Sequence, residues 1–206
     1  MELFGNTYSA GSLFYWAVLA ACVLVLAFVL IRAYISYFKS DMTKGKVHRA
    51  LKKLGALRSW KVLRDVTVSA GGESARVDHA VVGPWGVLLF CDIHARGCYF
   101  GKMEEQNWAR TDGEEEKATG RVLVPNPGKE CEKAVAILRR LFAENKIYNM
   151  QVEWFLPATG KQVKSYISGS QDVVVTLPEL REVLSRGKYD KDNGVDIQKI
   201  AALFEA

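Results

Sequence analysis

The hydrophobic pattern of the chain begins with one long apolar run. Leu13 to Ile31 holds nineteen residues and no charged side chain. A helix that rises about 1.5 Å per residue would make this run about 28 Å long, close to the ~30 Å hydrocarbon core of a bilayer. Aromatic side chains flank it, as in the interfacial belts of membrane helices: Phe14, Tyr15, Trp16, Tyr34, Tyr37 and Phe38. The pattern predicts a transmembrane helix with an interfacial flank over residues 13–38.

Two other interpretations of this run stay open. The first is a buried core helix, although isolated apolar runs of this length are typical of membrane spans. The second is a cleaved signal peptide, because Leu19-Ala20-Ala21-Cys22 resembles a lipoprotein cleavage box. Signal peptides need a basic start, however, and Glu2 is the only charged residue before the run. We therefore interpret Cys22 as a lipid-facing or packing residue.

After residue 40 the periodicity alternates between helix and strand. Apolar residues at helical spacing predict helices over 43–54, with Gly55 as a stop, and over 128–145. Pro178 and Asp196 stand at the starts of two more, over 177–185 and 196–204. Alternating or continuous apolar residues predict strands over 60–69, 75–82, 87–93, 98–101, 107–111, 150–156 and 171–176. Turns are predicted at 71–72, 83–86 and 112–113, and a solvated loop at 114–117.

Charge is distributed unevenly along the 206 residues. The composition, with 49% hydrophobic residues, excludes a mostly disordered chain, and the net charge is +5. Residues 39–64, a juxtamembrane segment with the first helix and strand, hold nine basic residues and one acidic, a net +8. Residues 65–206 hold 18 basic and 21 acidic residues, a net −3. The basic segment therefore suits a membrane surface or a nucleic-acid backbone.

The basic segment also predicts the orientation in the membrane. Basic residues mark the cytoplasmic end of a membrane helix, so we expect a single-pass cell-membrane protein with a cytoplasmic C-terminal domain. Residues 1–12 would then form a short extracytoplasmic N-terminus. The four cysteines are too few for a disulfide scaffold. Cys91, Cys98 and Cys131 fit a reducing cytosol and need no bridge.

Residues 77–101 and a few later positions carry the most specific motifs. The sequence contains Val77-Asp78-His79 and Val82-Gly83-Pro84-Trp85-Gly86-Val87, followed by Gly97, Gly101, Trp108 and Asn126-Pro127. In their order and spacing, over residues 45 to about 185, these motifs resemble the nuclease-related domain (NERD) family of the PD-(D/E)xK nuclease-like superfamily. The resemblance implies an α/β fold over residues 45–206, with a mixed central sheet flanked by helices.

The resemblance also implies a magnesium site that cuts phosphodiesters. In the family an Asp on one strand and the Glu of a Glu-x-Lys motif on the next strand converge on the metal. Mg²⁺ prefers carboxylate oxygens and activates the attacking water. The Lys faces the same side because strand side chains repeat every two residues. Asp78 occupies the first acid position and is the candidate catalytic and metal-binding residue.

The other positions of this constellation differ from the family pattern. Cys91 occupies the Glu position and Ile93 the Lys position. Gly45-Lys46 stands where a helical Gly-Glu pair is expected, and Glu130 stands where a Gln is expected. Asp92 lies one residue after the Glu position, so its side chain should face the other side of the sheet. One carboxylate beside a thiol is a poor magnesium site, so the sequence predicts a pseudoenzyme that needs no cofactor.

These residues also fit roles outside the family pattern. Soft ligands for zinc are present, but the spacing Cys91-x-x-His94-x-x-x-Cys98 is not a standard zinc motif, and Cys131 and His79 lie elsewhere in the sequence. Cys91 and Cys131 fit apolar positions, where cysteine behaves as a small hydrophobe. The histidines fit hydrogen-bonded structural roles. Asp78 has a structural alternative as well, in which it pairs with a backbone turn or with a nearby Arg76 or Arg96.

These observations predict a membrane-anchored NERD-like protein that acts as a cytoplasmic binding or scaffold module. Nucleic acid is one candidate ligand, held by basic side chains: Lys46, Arg49, Lys53, Lys129 and Lys133. One alternative is a divergent nuclease that uses Mg²⁺, Asp78 and a rearranged acid. The other is a protein-interaction module, with an unidentified partner, that has no nucleic-acid role.

Overall fold

The computed structural model describes residues 10–111, 120–148, 150–160 and 163–204. Side chains of residues 10–15, 17 and 33–44 lie outside the description, as do the turn and loop predicted over 112–117. The chain divides into two compact units at Met42 and Thr43. The fold is mixed α/β, with two mixed sheets and flanking helices.

The first helix, α1, runs from Ala10 to Arg58 and joins the two helices that the sequence separated. The predicted stop at Gly55 is wrong. The left-handed residue is instead Ser59, with φ 58°, and the N–H of Trp60 donates to the carbonyl of Gly55 at 3.0 Å. Gly55 allows close packing, because a Cβ there would lie 3.0 Å from Cγ2 of Val62.

In the N-terminal unit, α1 exposes large apolar side chains, including Trp16, Leu24 and Phe28, each more than 60% exposed. The predicted membrane segment, residues 13–38, includes residues 13–15, 17 and 33–38, whose side chains lie outside the description. Within the described residues, none of the helices combines the length and the apolar character needed to cross a membrane.

The described part of the second unit contains nine strands and three further helices. The strands are β1 (Lys61–Ala70), β2 (Glu73–Gly83), β3 (Gly86–Phe90), β4 (Gly97–Lys102), β5 (Asn107–Thr111), β6 (Arg121–Pro125), β7 (Gln151–Ala158), β8 (Val163–Ser168) and β9 (Val174–Thr176). The helices are α2 (Pro127–Glu144), α3 (Leu177–Leu184) and α4 (Ile197–Ala202), with a 3₁₀ turn at Gly187–Asp190.

The main sheet has the order β1-β2-β3-β7-β9, and the second sheet has the order β6-β5-β4-β8. Strands β1, β2 and β3 pair antiparallel, whereas β7 runs parallel to both β3 and β9. The sequence missed β6 and β8, because each exposes most of its side chains and has no apolar alternation to detect. The predicted strands over 87–93 and 171–176 are shorter, and end at Phe90 and begin at Val174.

Two hydrophobic cores lie on opposite faces of the main sheet. The first core packs α2 and α4 against Val87 and Leu89 of β3. The second core packs the end of α1 and helix α3 against Leu88 and Phe90. Because β3 contributes alternate residues to the two cores, it is buried on both sides, as its continuous apolar sequence predicts.

The Gly-Pro-Trp-Gly motif forms the turn between β2 and β3. A Cβ on Gly86 would lie 2.1 Å from the carbonyl oxygen of Gln151, so only glycine permits β7 to pair at this point. The buried Trp85 ring packs edge-on against Trp60 and Tyr189, with centroids 5.6 and 5.0 Å away. This motif therefore has a structural role and positions the start of β3.

Candidate functional site

Asp78, Cys91 and Cys131 come together where the end of β3 meets the first turns of α2. Asp78 lies on β2 and is partly exposed. Its Oδ2 accepts the N–H of Asp92 at 2.8 Å. This bond to a backbone group just beyond β3 agrees with the backbone-pairing alternative for Asp78. Arg76, one of the two arginines predicted as alternative partners together with Arg96, lies 3.5 Å from the carboxylate of Asp65.

Helix α2 is positioned by the Asn126-Pro127 motif. The Asn126 Oδ1 accepts the N–H of Gly128 at 2.8 Å and caps the helix. Its Nδ2 donates to the carbonyls of Met103 and Glu105, at 2.9 and 2.8 Å. One buried amide therefore ties the start of α2 to the turn between β4 and β5, and so places Cys131 against the main sheet.

Cys91 occupies the position where the family pattern has glutamate. Its side chain belongs to the first core and is 5% exposed, and Cys131 on α2 is fully buried. The two Sγ atoms are 2.9 Å apart. Burial, followed by the hydrogen bond to Cys91 and the charges of Cys91, Asp78 and Glu130, raises the pKa of the Cys131 thiol well above its ordinary value. The site therefore contains a pair of buried thiols where a metal-binding carboxylate is expected.

Ile93 occupies the lysine position of the family pattern. Its side chain is 4% exposed and packs in the first core. The N–H of Ile93 donates to the carbonyl of Pro157 at 2.9 Å, and the residue forms an isolated bridge with Ala158. An apolar, enclosed side chain here cannot orient a water molecule or balance the negative charge that develops on a phosphate.

Asp92 faces the opposite side of the sheet, as its register predicts. Its Oδ2 lies 3.4 Å from Nε2 of His79, and both side chains are almost fully buried. The ring of His48 on α1 approaches His79, with centroids 5.7 Å apart. The sequence did not predict that His48, His79 and Asp92 lie together. No sequence spacing links residues on a helix to residues on or after two strands.

Burial and nearby groups oppose a proton on His48. Burial, followed by electrostatic repulsion from His79, Arg64 and Lys52, lowers the pKa of His48 from its ordinary value of 6.5. These surroundings therefore disfavour a proton on His48. A neutral imidazole beside a paired Asp92 and His79 is consistent with a structural role next to the second core.

The structure does not assemble the candidate metal ligands. Among the described residues, no group of three or more histidine, cysteine, aspartate or glutamate side chains could hold a metal ion. The cysteine pair and the His79–Asp92 pair point to opposite faces of the sheet. Cys98 belongs to β4 in the second sheet, and the ring of His94 contacts the carbonyl of Asp92 at 3.3 Å.

The predicted basic residues form two separate groups. Lys46, Arg49 and Lys53 lie on α1, which covers one face of the main sheet. Lys129 and Lys133 lie on α2, which covers the other face, and Lys129 bonds to Glu132 at 2.8 Å. The five residues therefore lie on two helices that cover opposite faces of the main sheet.

Another basic surface lies on the second sheet and was missed from the sequence. Phe100 and Tyr166 occupy paired positions on β4 and β8, and their rings stack at 5.1 Å. The guanidinium of Arg121 lies 5.7 Å from the centre of the Phe100 ring. Lys102 and Lys164 are exposed on the same two strands. We call these five residues the aromatic-basic face; strands β6 and β8, which carry three of them, gave no periodic signal.

The comparisons with known proteins agree with the motifs. An α/β domain whose hairpin, helix cap and β2 aspartate follow this pattern is of the nuclease-related class. The profile of the nuclease-related domain, NERD, matches residues 43–167. The chain therefore belongs to the NERD family. No curated protein and no solved structure matches it.

Proposed function

We propose that the chain is a membrane-anchored NERD protein of the PD-(D/E)xK-like type that has lost metal-dependent cleavage and acts as a binding module. The observation that carries this proposal is which residues occupy the family's Glu and Lys positions. Cys91 and Ile93 fill them with buried side chains, and the Cys91 sulfur contacts Cys131 rather than solvent.

The chemistry of Mg²⁺ supports this proposal. The ion requires about six oxygen ligands in near-octahedral geometry and binds thiols poorly. Asp78 supplies one carboxylate, one oxygen of which already accepts a backbone N–H. The carboxylate beside the family's Glu position, that of Asp92, points to the other face of the sheet. A nuclease at this position would need to recruit a second acid by rearrangement.

Binding of the metal gives a direct test. We expect titration of Mn²⁺, followed by electron paramagnetic resonance, to show no tight site that depends on Asp78. Asp65→Asn removes an exposed carboxylate and serves as the matched control. A bound manganese ion that is lost in Asp78→Asn and kept in Asp65→Asn would support the alternative of a divergent nuclease.

Membrane attachment is supported by the uncharged run over residues 13–31 and by the exposed apolar side chains that α1 carries there. Exposed apolar surface of this extent is unfavourable in water. The basic segment 39–64 supports a cytoplasmic location for the domain. Carbonate extraction of membranes should leave the chain in the pellet, and replacement of Leu24 and Val25 by aspartate should release it to the supernatant.

Nucleic acid is the first candidate ligand, and the aromatic-basic face favours it. Stacked rings beside three cationic side chains are the combination that binds the bases and phosphates of a single strand. The basic residues of α1 offer only positive charge, which suits anionic lipid equally well. Binding of a labelled oligonucleotide by the full chain, measured at several salt concentrations, tests this ligand.

A protein partner is the second candidate, and a different groove favours it. An open cavity of about 710 Å³ lies between β7, β9 and α3. Four acidic side chains line it, against two basic ones: Glu153, Asp172, Glu179, Glu182, Arg186 and Lys188. A net negative groove repels phosphates and suits a basic peptide. Capture of an arginine-rich peptide that is lost in Glu182→Lys would support this interpretation.

A further inference from the structure

Two buried thiols meet at the position where the family pattern has its metal-binding glutamate. Cys91 follows β3 and Cys131 lies in the first turns of α2, forty positions apart in the chain. Their Sγ atoms are 2.9 Å apart, and the side chains are 5% and 0% exposed. A disulfide bond is about 2.05 Å long, so the sulfur atoms are within reach of one by small side-chain rotations.

Packing alone does not account for this pair. A thiol is a weak hydrogen-bond donor, so a contact this short gives little stabilisation between two reduced cysteines. The pair joins two elements that already pack together in the first core, the end of β3 and α2. Cys98, by contrast, lies on β4, where it pairs with Thr111 and Lys164 in the second sheet.

We propose that Cys91 and Cys131 form a reversible intramolecular disulfide, with hydrogen peroxide as the oxidant. This inference rests on the geometry of the two thiols and is independent of the ligand proposed above. It also revises the expectation that these cysteines need no bridge.

The two cysteines have different roles in this reaction. The Cys91 thiol sulfur attacks one peroxide oxygen, the O–O bond breaks, and the thiol proton passes to the departing hydroxide, so that sulfenic acid and water form. The Cys131 thiol then attacks the Cys91 sulfur, the S–O bond breaks, and its proton leaves with the hydroxide as a second water. Two thiols are oxidised, and one peroxide is reduced to two waters.

The positions of the two sulfurs suit these roles. Cys91 is the more exposed and therefore the one that a small oxidant reaches first. Burial raises the pKa of Cys131, so this thiol gives up its proton only as its sulfur, 2.9 Å away, bonds to the oxidised Cys91. Its closeness to Cys91 should trap the sulfenic acid before a second peroxide converts it to sulfinic acid.

The bond would close a loop that contains β4, β5 and β6. A crosslink of this span removes entropy from the unfolded chain. Oxidation should therefore raise the melting temperature of the domain by about 10 °C, and a dithiol reductant should reverse the change. The crosslink would also fix α2 against the strand end beside Asp78.

The experiment uses the full chain, purified under reducing conditions and treated with hydrogen peroxide. Remaining thiols are alkylated after denaturation, and the peptides are mapped by mass spectrometry. The expected product is one crosslinked peptide pair containing Cys91 and Cys131, which dithiothreitol separates. Cys98→Ser, which removes another buried cysteine, should keep both the crosslink and the rise in melting temperature, whereas Cys131→Ser should lose both.

Contrary outcomes are equally definite. Recovery of Cys91 and Cys131 on separate peptides, alkylated or as sulfinic acid, would overturn the proposal, as would a crosslink that uses Cys98 or Cys22 instead. A melting temperature that still rises on oxidation of Cys131→Ser would also contradict it. If that variant fails to fold, the peptide map of the unaltered chain decides the question.

Discussion

At the scale of single residues, the position after β3 shows how one step in register separates two environments. Cys91 enters the first core and contacts Cys131, whereas Asp92 points to the opposite face and contacts His79. A carboxylate at one position cannot replace a carboxylate at the other, because adjacent strand residues face opposite sides. The aspartate next to Cys91 therefore cannot take the place of a carboxylate at the Cys91 position.

The buried pair of His79 and Asp92 should be important for stability. Asp92→Ala leaves a fully buried imidazole without its carboxylate, which we expect to cost about 3 kcal/mol in the free energy of unfolding. Asp65→Asn breaks exposed ion pairs with Arg64 and Arg76 and should cost less than about 1 kcal/mol. Urea denaturation of both variants checks the difference, and equal losses would argue against a structural role for the pair.

His48 should make the domain sensitive to acid. Its folded-state pKa is lowered, so the unfolded chain binds a proton more readily than the folded chain as the pH falls. Its contribution is fully present above the ordinary value of 6.5 and is lost as the pH falls through that value towards the folded pKa. His48→Gln should therefore lose less stability than the unaltered chain between about pH 7 and pH 5, as measured by urea midpoints. An unchanged pH dependence would contradict this expectation.

At the scale of elements, the helix caps and the strands β1 to β3 were easier to predict from the sequence than the edge strands of the second sheet. Asn126, Pro127 and Asp196 are local signals, and each begins a helix as expected. The alternation of β1 and β2 and the continuous apolar run of β3 also indicated a sheet with one buried strand. Strands β6 and β8 escaped detection because they lie at the two edges of the second sheet and expose most of their side chains.

Asn126 should matter more than an ordinary helix cap. Asn126→Ala removes the cap of α2 and leaves two backbone carbonyls, of Met103 and Glu105, without its amide. We expect a loss of about 3 kcal/mol, whereas Asp196→Ala, which removes the exposed cap of α4, should cost about 1 kcal/mol. Thermal denaturation of the two variants compares them. Equal losses in the two variants would show that the hydrogen bonds from Asn126 to the β4–β5 turn add no stability.

At the scale of the whole molecule, the net charge of +5 combines a basic segment with a weakly acidic domain. This asymmetry and the family motifs were predictable from the sequence, because both are encoded locally. The grouping of the basic residues was not predictable, since it depends on which face of the sheet each helix covers. The cysteine pair was equally hidden, because its members are forty positions apart and each fits an apolar pattern.

Charge variants should separate the two basic surfaces. Replacing Lys102, Lys164 and Arg121 with glutamine should weaken oligonucleotide binding and reduce the salt slope by about one for each phosphate that is no longer neutralised. Replacing Lys46, Arg49 and Lys53 should instead weaken binding to vesicles that contain anionic lipid. Oligonucleotide anisotropy and vesicle flotation measure the two effects. Weaker oligonucleotide binding in the α1 variant alone would place that ligand on the helix.

We propose that this NERD domain no longer cuts phosphodiesters by metal catalysis. The most direct measurement is cleavage of labelled DNA and RNA by the full chain with Mg²⁺ or Mn²⁺, beside Asp78→Ala prepared identically. We predict that the unaltered chain gives no cleavage above the level of Asp78→Ala with either metal. Metal-dependent cleavage that Asp78→Ala abolishes would contradict the claim.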